Sequence, residues 1–213
     1  MVIAAVVAII VALAVSAVWF QFATNAKTRE AISRIEKRGG RVATENVGPE
    51  WLPDFIGDQI TRPICATFGP AAKDVDLEVL ADLPELNEVY LSGTGITDAG
   101  LSQLVHLPRL EALHLNGTRI TDVGLARLAE LTNLEILFLD STQITDGGLV
   151  HLTRLTKLQT LSICSTKVGE KGLSMLRGMR CLRGLFVSEA TTSQDCIDEL
   201  QRALPELHVQ AMH

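Results

Sequence analysis

The stretch Leu110-Glu111-Ala112-Leu113-His114-Leu115-Asn116-Gly117-Thr118-Arg119-Ile120-Thr121-Asp122-Val123-Gly124-Leu125 decides the fold, because it recurs at a spacing of 24 residues on both sides. Upstream stands Leu86-Asn87-Glu88-Val89-Tyr90-Leu91, followed by Thr94-Gly95-Ile96-Thr97-Asp98-Ala99-Gly100-Leu101. Downstream, Leu134 through Leu139 precedes Thr142-Gln143-Ile144-Thr145-Asp146-Gly147-Gly148-Leu149. The anchors Leu86, Leu110, Leu134, Leu158 and Leu182 keep the period without drift. A fixed period of this kind marks a stacked array in which each unit buries its apolar face against its neighbours. In each LxxLxL-like run the first, fourth and sixth residues face inward, and strand alternation turns the third, fifth and seventh outward.

A second apolar set follows each strand. Leu101, Leu104 and Leu107 are matched by Leu125, Leu128 and Leu131, then by Leu149, Leu152 and Leu155. Three-residue spacing suits a short helix or 3₁₀ segment. Leu173, Leu176 and Met179 continue the series, Ile197, Leu200 and Ala203 close it, and Leu77, Leu80 and Leu83 extend it backwards. A preceding strand is expected at Cys65–Phe68, with Cys65 and Thr67 in the places of Val89 and Leu91, as a degenerate capping unit; six units result. Between strand and helix, the isoleucine fills the bend, the Thr-Asp pair is expected to cap helix N–H groups, and the first threonine satisfies turn backbone. Gly100, Gly124 and Gly148 mark places where space or backbone freedom matters. The unit Thr166-Lys167-Val168-Gly169-Glu170-Lys171-Gly172-Leu173 loses the Thr-Asp pair, and the next, from Ala190, loses nearly all of the pattern. Such decay is expected near a cap.

The pattern resembles the leucine-rich repeat family over residues 63–209, in the GT-x-ITD-x-GL form of many bacterial repeat proteins, and is similar to the F-box-associated and ribonuclease-inhibitor-like classes. The N-terminal arrangement of an apolar run, a basic segment, Gly39-Gly40-Arg41-Val42 and Gly48-Pro49-Glu50-Trp51-Leu52 also resembles small membrane-anchored repeat proteins of planctomycete-type bacteria. The resemblance implies an α/β solenoid with a curved parallel β-sheet and short outer helices. It also implies protein binding on the concave strand face.

Outside the array, Met1 to Phe20 contains Ser16 as its only polar residue, and residues 1–26 hold no Asp, Glu, Lys or Arg. As a helix this run would span roughly 30 Å, so it reads as an N-terminal transmembrane helix. Trp19, Phe20 and Phe22 suit a headgroup boundary. The rival readings are a cleaved secretory peptide, which lacks a basic leader, and a buried core helix. Residues 27–41 hold six basic residues against Glu30 and Glu36, a local +4, so residues 42–213 carry −10 of the total −6. A basic segment beside a membrane favours anionic lipid and a cytoplasmic repeat domain, while a short solvated helix ending at Gly39-Gly40 is the plainer reading. The expected organisation is a transmembrane anchor over 1–26 touching membrane lipid, a basic juxtamembrane segment over 27–41, an N-terminal cap over 42–62, repeats with a C-terminal cap over 63–209, and a tail over 210–213. In the cap, Pro49 opens a helix whose Trp51, Leu52, Phe55 and Ile56 cover the first repeat.

Function is sought where the repeat leaves residues free. The central outward column is Tyr90, His114, Phe138, Ser162 and Phe186. Beside it run Ser92, Asn116, Asp140, Cys164 and Ser188 and, on the other side, Glu88, Ala112, Ile136, Thr160 and Gly184. Strands about 4.8 Å apart would join Tyr90, His114 and Phe138 into one aromatic strip of the kind that anchors a peptide or protein. The candidate protein-binding residues are Glu88, Tyr90, His114, Asn116, Ile136, Phe138, Asp140, Ser162 and Phe186. An acidic flank of Glu88, Glu111 and Glu135, interrupted by Arg183, would steer a basic partner. The −10 balance excludes nucleic acid as the natural partner of the array. Cys65, Cys164, Cys181 and Cys196 form neither a CxxC pair nor a metal cluster, and reduced thiols are the simpler expectation; no cofactor or metal is implied. His114 and Cys164 lie two strands apart, near 10 Å, which disfavours a Cys/His hydrolase. The expected function is a membrane-tethered, non-enzymatic scaffold that binds a protein or peptide through the concave face. The alternative is a structural repeat protein of the membrane or envelope without a discrete ligand.

Overall fold

The computed structural model describes residues 26–46 and 61–212. Period-two alternation within each run and a 24-residue return between runs produce one eight-stranded sheet in sequential order. Its strands are β1 (Arg41–Asn46), β2 (Thr61–Thr67), β3 (Glu88–Tyr90), β4 (Ala112–His114), β5 (Ile136–Phe138), β6 (Thr160–Ser162), β7 (Gly184–Ser188) and β8 (His208–Met212). From β2 to β8 every pairing is parallel, and Val89, Leu113, Leu137 and Leu161 stand in register with one another and with Leu185. The return path in each unit is a short 3₁₀ or α-helical segment: Asp74–Asp82, Gly100–His106, Asp122–Leu128, Asp146–Leu152, then Glu170–Ser174 continued by Met175–Gly178. Leucines from strands and return segments fill one continuous core between the two layers.

Stacking is held by a carboxylate that reaches into the following unit. Asp98 accepts the Thr121 backbone N–H at 2.9 Å and the Thr121 hydroxyl at 2.6 Å. Asp122 does the same to Thr145 at 2.8 and 2.6 Å, and Asp74 to Thr97 at 2.8 and 2.6 Å. The expectation that both members of the Thr-Asp pair cap their own helix is thus half corrected. Thr121 and Thr145 do accept from Val123 and Gly147 N–H, whereas the aspartate serves its neighbour. The glycine three residues after each threonine follows from the same contact: a Cβ on Gly100, Gly124 or Gly148 would collide with Asp74, Asp98 or Asp122 Oδ1. Inside each unit, the Thr94, Thr118 and Thr142 hydroxyls donate to the Leu91, Leu115 and Leu139 carbonyls at 2.6 Å and close the turn. That turn needs a left-handed residue, supplied by Gly93 and Gly117 and then by Ser141 and Ser165, with φ of 69°, 68°, 56° and 55°.

The first repeat is in a different register from the one expected. Ala66, not Cys65, pairs with Val89, and Ala66 and Phe68 are the buried residues, so β2 shifts by one position and Cys65 and Thr67 turn outward. One residue of slip exchanges the faces of a strand, and a small alanine followed by a large phenylalanine replaces the leucine pair that made the other registers readable.

Residues 26–37 form a helix that stops at Gly39, whose φ is 77°. All six basic side chains of 27–41 are exposed, while Ala31 and Ile35 are buried against the array. Arg38 pairs with Asp76 of the first return segment at 3.1 Å. The helix therefore covers the open N-terminal end of the core, and β1 adds an antiparallel edge to β2 that the 24-residue period does not announce. The expected cap helix after Pro49, with Trp51, Leu52, Phe55 and Ile56, lies outside the described residues. At the other end, Gln194–Ala203 buries Cys196, Ile197 and Leu200, and β8 runs through residues 210–212.

The transmembrane helix over 1–26 requires correction, and with it the membrane tether, the lipid contact and the single-pass placement with a cytoplasmic repeat domain. Among the described residues no helix is long and apolar enough to cross a membrane. Residues 1–25 lie outside the described residues.

Candidate functional site

Because each strand pairs with the next at a shift of 24 residues, the outward columns are straight. Tyr90, His114, Phe138, Ser162 and Phe186 are successive register partners across β3–β7. The first three rings form a stack: Tyr90 and His114 lie 4.0 Å apart and 10° from parallel, and His114 and Phe138 lie 4.8 Å apart at 28°. All three are half-buried, with one edge left to solvent. Burial between the rings pulls the His114 pKa down, against an opposing pull from Glu88, so the neutral imidazole is the favoured partner in the stack. Burial pushes the Tyr90 hydroxyl up, and the Glu88 charge adds to the shift.

Three of the expected contact residues are spent within the scaffold. Asn116 Oδ1 accepts the Asp140 backbone N–H at 2.8 Å. Asp140 Oδ1 accepts the Cys164 N–H at 2.8 Å and the Ser162 hydroxyl at 2.6 Å. Ser162 is only 3% exposed, so it breaks the ring column between Phe138 and Phe186. Thus Glu88, Tyr90, His114, Ile136, Phe138 and Phe186 are half-buried at the concave surface, while Asn116 and Asp140, also half-buried, accept backbone N–H groups and the buried Ser162 donates to Asp140. The signal for this second ladder was the recurrence of small polar residues at the seventh strand position, which sequence reasoning treated as free.

The hydrolase arrangement is not assembled. His114 is sandwiched by rings, Asp140 is engaged by Ser162 and Cys164, and burial followed by the Asp140 charge pushes the Cys164 thiol up, away from the thiolate a nucleophile requires. All four cysteines are free, and no group of three or more His, Cys, Asp or Glu among the described residues could hold a metal ion.

Beside the ring stack lies an open groove lined by Ile64, Glu88, Glu111, Ala112, Glu135 and Ile136, with Glu45 and Arg62 at its N-terminal end. The glutamates belong to the acidic flank read from the sequence. The Glu45–Arg62 end was missed because β1 and the start of β2 fall outside the repeat.

Residues 84–144 match the leucine-rich repeat family. The matched inner units, over residues 84–144, are leucine-rich repeats. Similar solved structures include an internalin of Listeria monocytogenes at 21% identity and a TM-score of 0.46, covering 65% of this chain and 44% of that one. A leucine-rich repeat protein of Leptospira interrogans matches at 21% identity and 0.47, covering 62% and 33%. Internalin C2 of Listeria monocytogenes matches at 20% and 0.48, covering 73% and 82%. The chain thus spans less than half the length of the first two. No curated protein matches the sequence.

Proposed function

We propose that this leucine-rich repeat domain is a non-enzymatic scaffold that binds a protein or peptide through its concave face, with Glu88, Tyr90, His114, Ile136, Phe138 and Phe186 as contact residues. The observation that carries this reading is the Tyr90–His114–Phe138 stack. Aromatic residues are 4% of the chain, yet Tyr90, Phe138 and Phe186 share one outward column, a concentration that core packing does not demand. Rings already ordered by stacking lose little further rotamer freedom on binding, and aromatic anchors of this kind dominate interface energetics. Asn116, Asp140 and Ser162 are omitted because Asn116 Oδ1 and Asp140 Oδ1 already accept backbone N–H groups and the Ser162 hydroxyl is given to Asp140.

The test is saturable binding of a protein captured by the full chain, measured again with Tyr90→Ala and Phe138→Ala. Each variant should lose about 2 kcal/mol of binding, the scale of an interface hot spot, at an unchanged melting temperature. Binding that survives both substitutions would remove the concave face from the account.

A further inference from the structure

The groove beside the ring stack has a chemistry of its own, and the inference from it rests on the concave-face reading above. Its lining mixes apolar Ile64, Ala112 and Ile136 with the carboxylates Glu88, Glu111 and Glu135, and Glu88 stands in register with Ala112 and Ile136. Among the lining residues the one cation is Arg62, and it is already engaged: Glu45 Oε2 accepts from Arg62 Nε at 3.0 Å and from Nη2 at 2.8 Å. Glu135 accepts the neutral Gln159 amide at 2.7 Å and forms no salt bridge among the described residues, although Lys157 and Arg183 line the adjoining pocket with it. Among the described residues neither Glu88 nor Glu111 forms a salt bridge.

A groove that mixes apolar side chains with carboxylates free of salt bridges matches a side chain with an aliphatic stem and a cationic tip. We propose that the groove takes lysine or arginine side chains of an extended polypeptide from a partner protein. The stems lie on Ala112 and Ile136, the cationic tips sit among Glu88, Glu111 and Glu135, and the chain runs along the Tyr90–His114–Phe138 stack. The dimensions agree: three strands span about 10 Å, and same-face side chains of an extended peptide recur roughly every 6.6 Å, so about two alternate basic residues fit. An acidic segment would bring like charges onto these carboxylates, which disfavours association.

The experiment selects random displayed dodecapeptides on the full chain, then measures synthetic copies of the enriched sequences by fluorescence anisotropy. The targets are the wild type, the double variant Glu111→Gln/Glu135→Gln, and Phe138→Ala. Enriched peptides should be rich in Lys and Arg and should weaken about three- to tenfold in the double variant, the range expected for two solvent-facing charge pairs. They should also weaken as salt is raised. Peptides that depend on Phe138 but are indifferent to both glutamines and to salt would overturn the basic-ligand assignment and leave the concave-face reading standing. Peptides indifferent to Phe138→Ala as well would remove both. A self-complex of the chain that sedimentation detects, and that the double variant dissolves, would replace the foreign polypeptide with a second copy as occupant.

Discussion

The inner repeats and the C-terminal repeats use the same lock at different strength. Asp98 and Asp122 each hold two donors of the next unit, a backbone N–H and a threonine hydroxyl. One unit later, Gly169 stands where the threonine was, so Asp146 holds only the Gly169 N–H, at 2.7 Å. One unit beyond that, Glu170 takes the aspartate's place and reaches the Ser193 N–H at 3.1 Å from a fully exposed position. The lock fades in steps, donor first and carboxylate second, while the register of the sheet is kept throughout. Leucine burial sets the fold in both regions; the polar lock adjusts how firmly each pair of neighbours is joined.

Stability should suffer most at Gly148, where a new Cβ would collide with Asp122 Oδ1 and lie 2.8 Å from Leu125 Cδ1. Gly148→Ala should cost about 3 kcal/mol in denaturant unfolding, the upper end for overpacking. Combined with Asp122→Ala, the two costs should sum to less than the separate losses, because the collision and the lock share one carboxylate. Full additivity would show that the glycine answers to something else. Next, Asp122→Ala should cost about 2–3 kcal/mol and Asp146→Ala about 1 kcal/mol, following two charge-assisted bonds against one. Equal losses in thermal melts would erase the distinction between the regions.

A smaller gain is expected at the left-handed turn. Ser141→Gly should stabilise the chain by up to about 1 kcal/mol, because φ of 56° strains a residue with a Cβ and the glycines at the equivalent turns avoid it. A loss on calorimetry would show that the Ser141 side chain has a role of its own. The smallest effect concerns Glu170, whose carboxyl is held below its usual range by hydrogen bonds from Ser193. A depressed carboxylate adds stability above the unfolded pKa, about 4.3, and that contribution is lost as the pH falls through the folded value. The melting difference between the wild type and Glu170→Gln should therefore be present at neutral pH and vanish in acid. A difference that persists in acid would assign it to something other than the charge.

Much of this is legible in the sequence. The leucine period placed β3–β7 and their outward columns, because a side chain repeated every 24 residues can be buried repeatedly only if the units stack in register. The Tyr90–His114–Phe138 strip followed from that register. The lock was misdirected because a Thr-Asp pair ahead of a helix is also a capping signal, and spacing within one repeat does not distinguish a carboxylate serving its own helix from one serving the next. Asp74, 24 residues before Asp98, was the available clue that the aspartate series began earlier than the threonine series. Seen alone, the basic residues of 27–41 drew attention to charge, while Ala31 and Ile35, the buried pair, left too short a pattern to mark a lid. Asn116 and Asp140 were read as free because an unpaired strand-end N–H is a property of the backbone, not of the residue type.

The one-unit reach of the aspartate also bears on how such a chain can change length. Donor and acceptor recur at the same offset in every inner unit, so copying or deleting a block of 24 residues between Asp98 and Asp146 joins each carboxylate to a fresh threonine and each glycine to a fresh carboxylate. A block one residue longer or shorter would miss both. The geometry therefore admits whole repeats and rejects fractions, which makes the inner array a unit that duplication can extend without any compensating substitution.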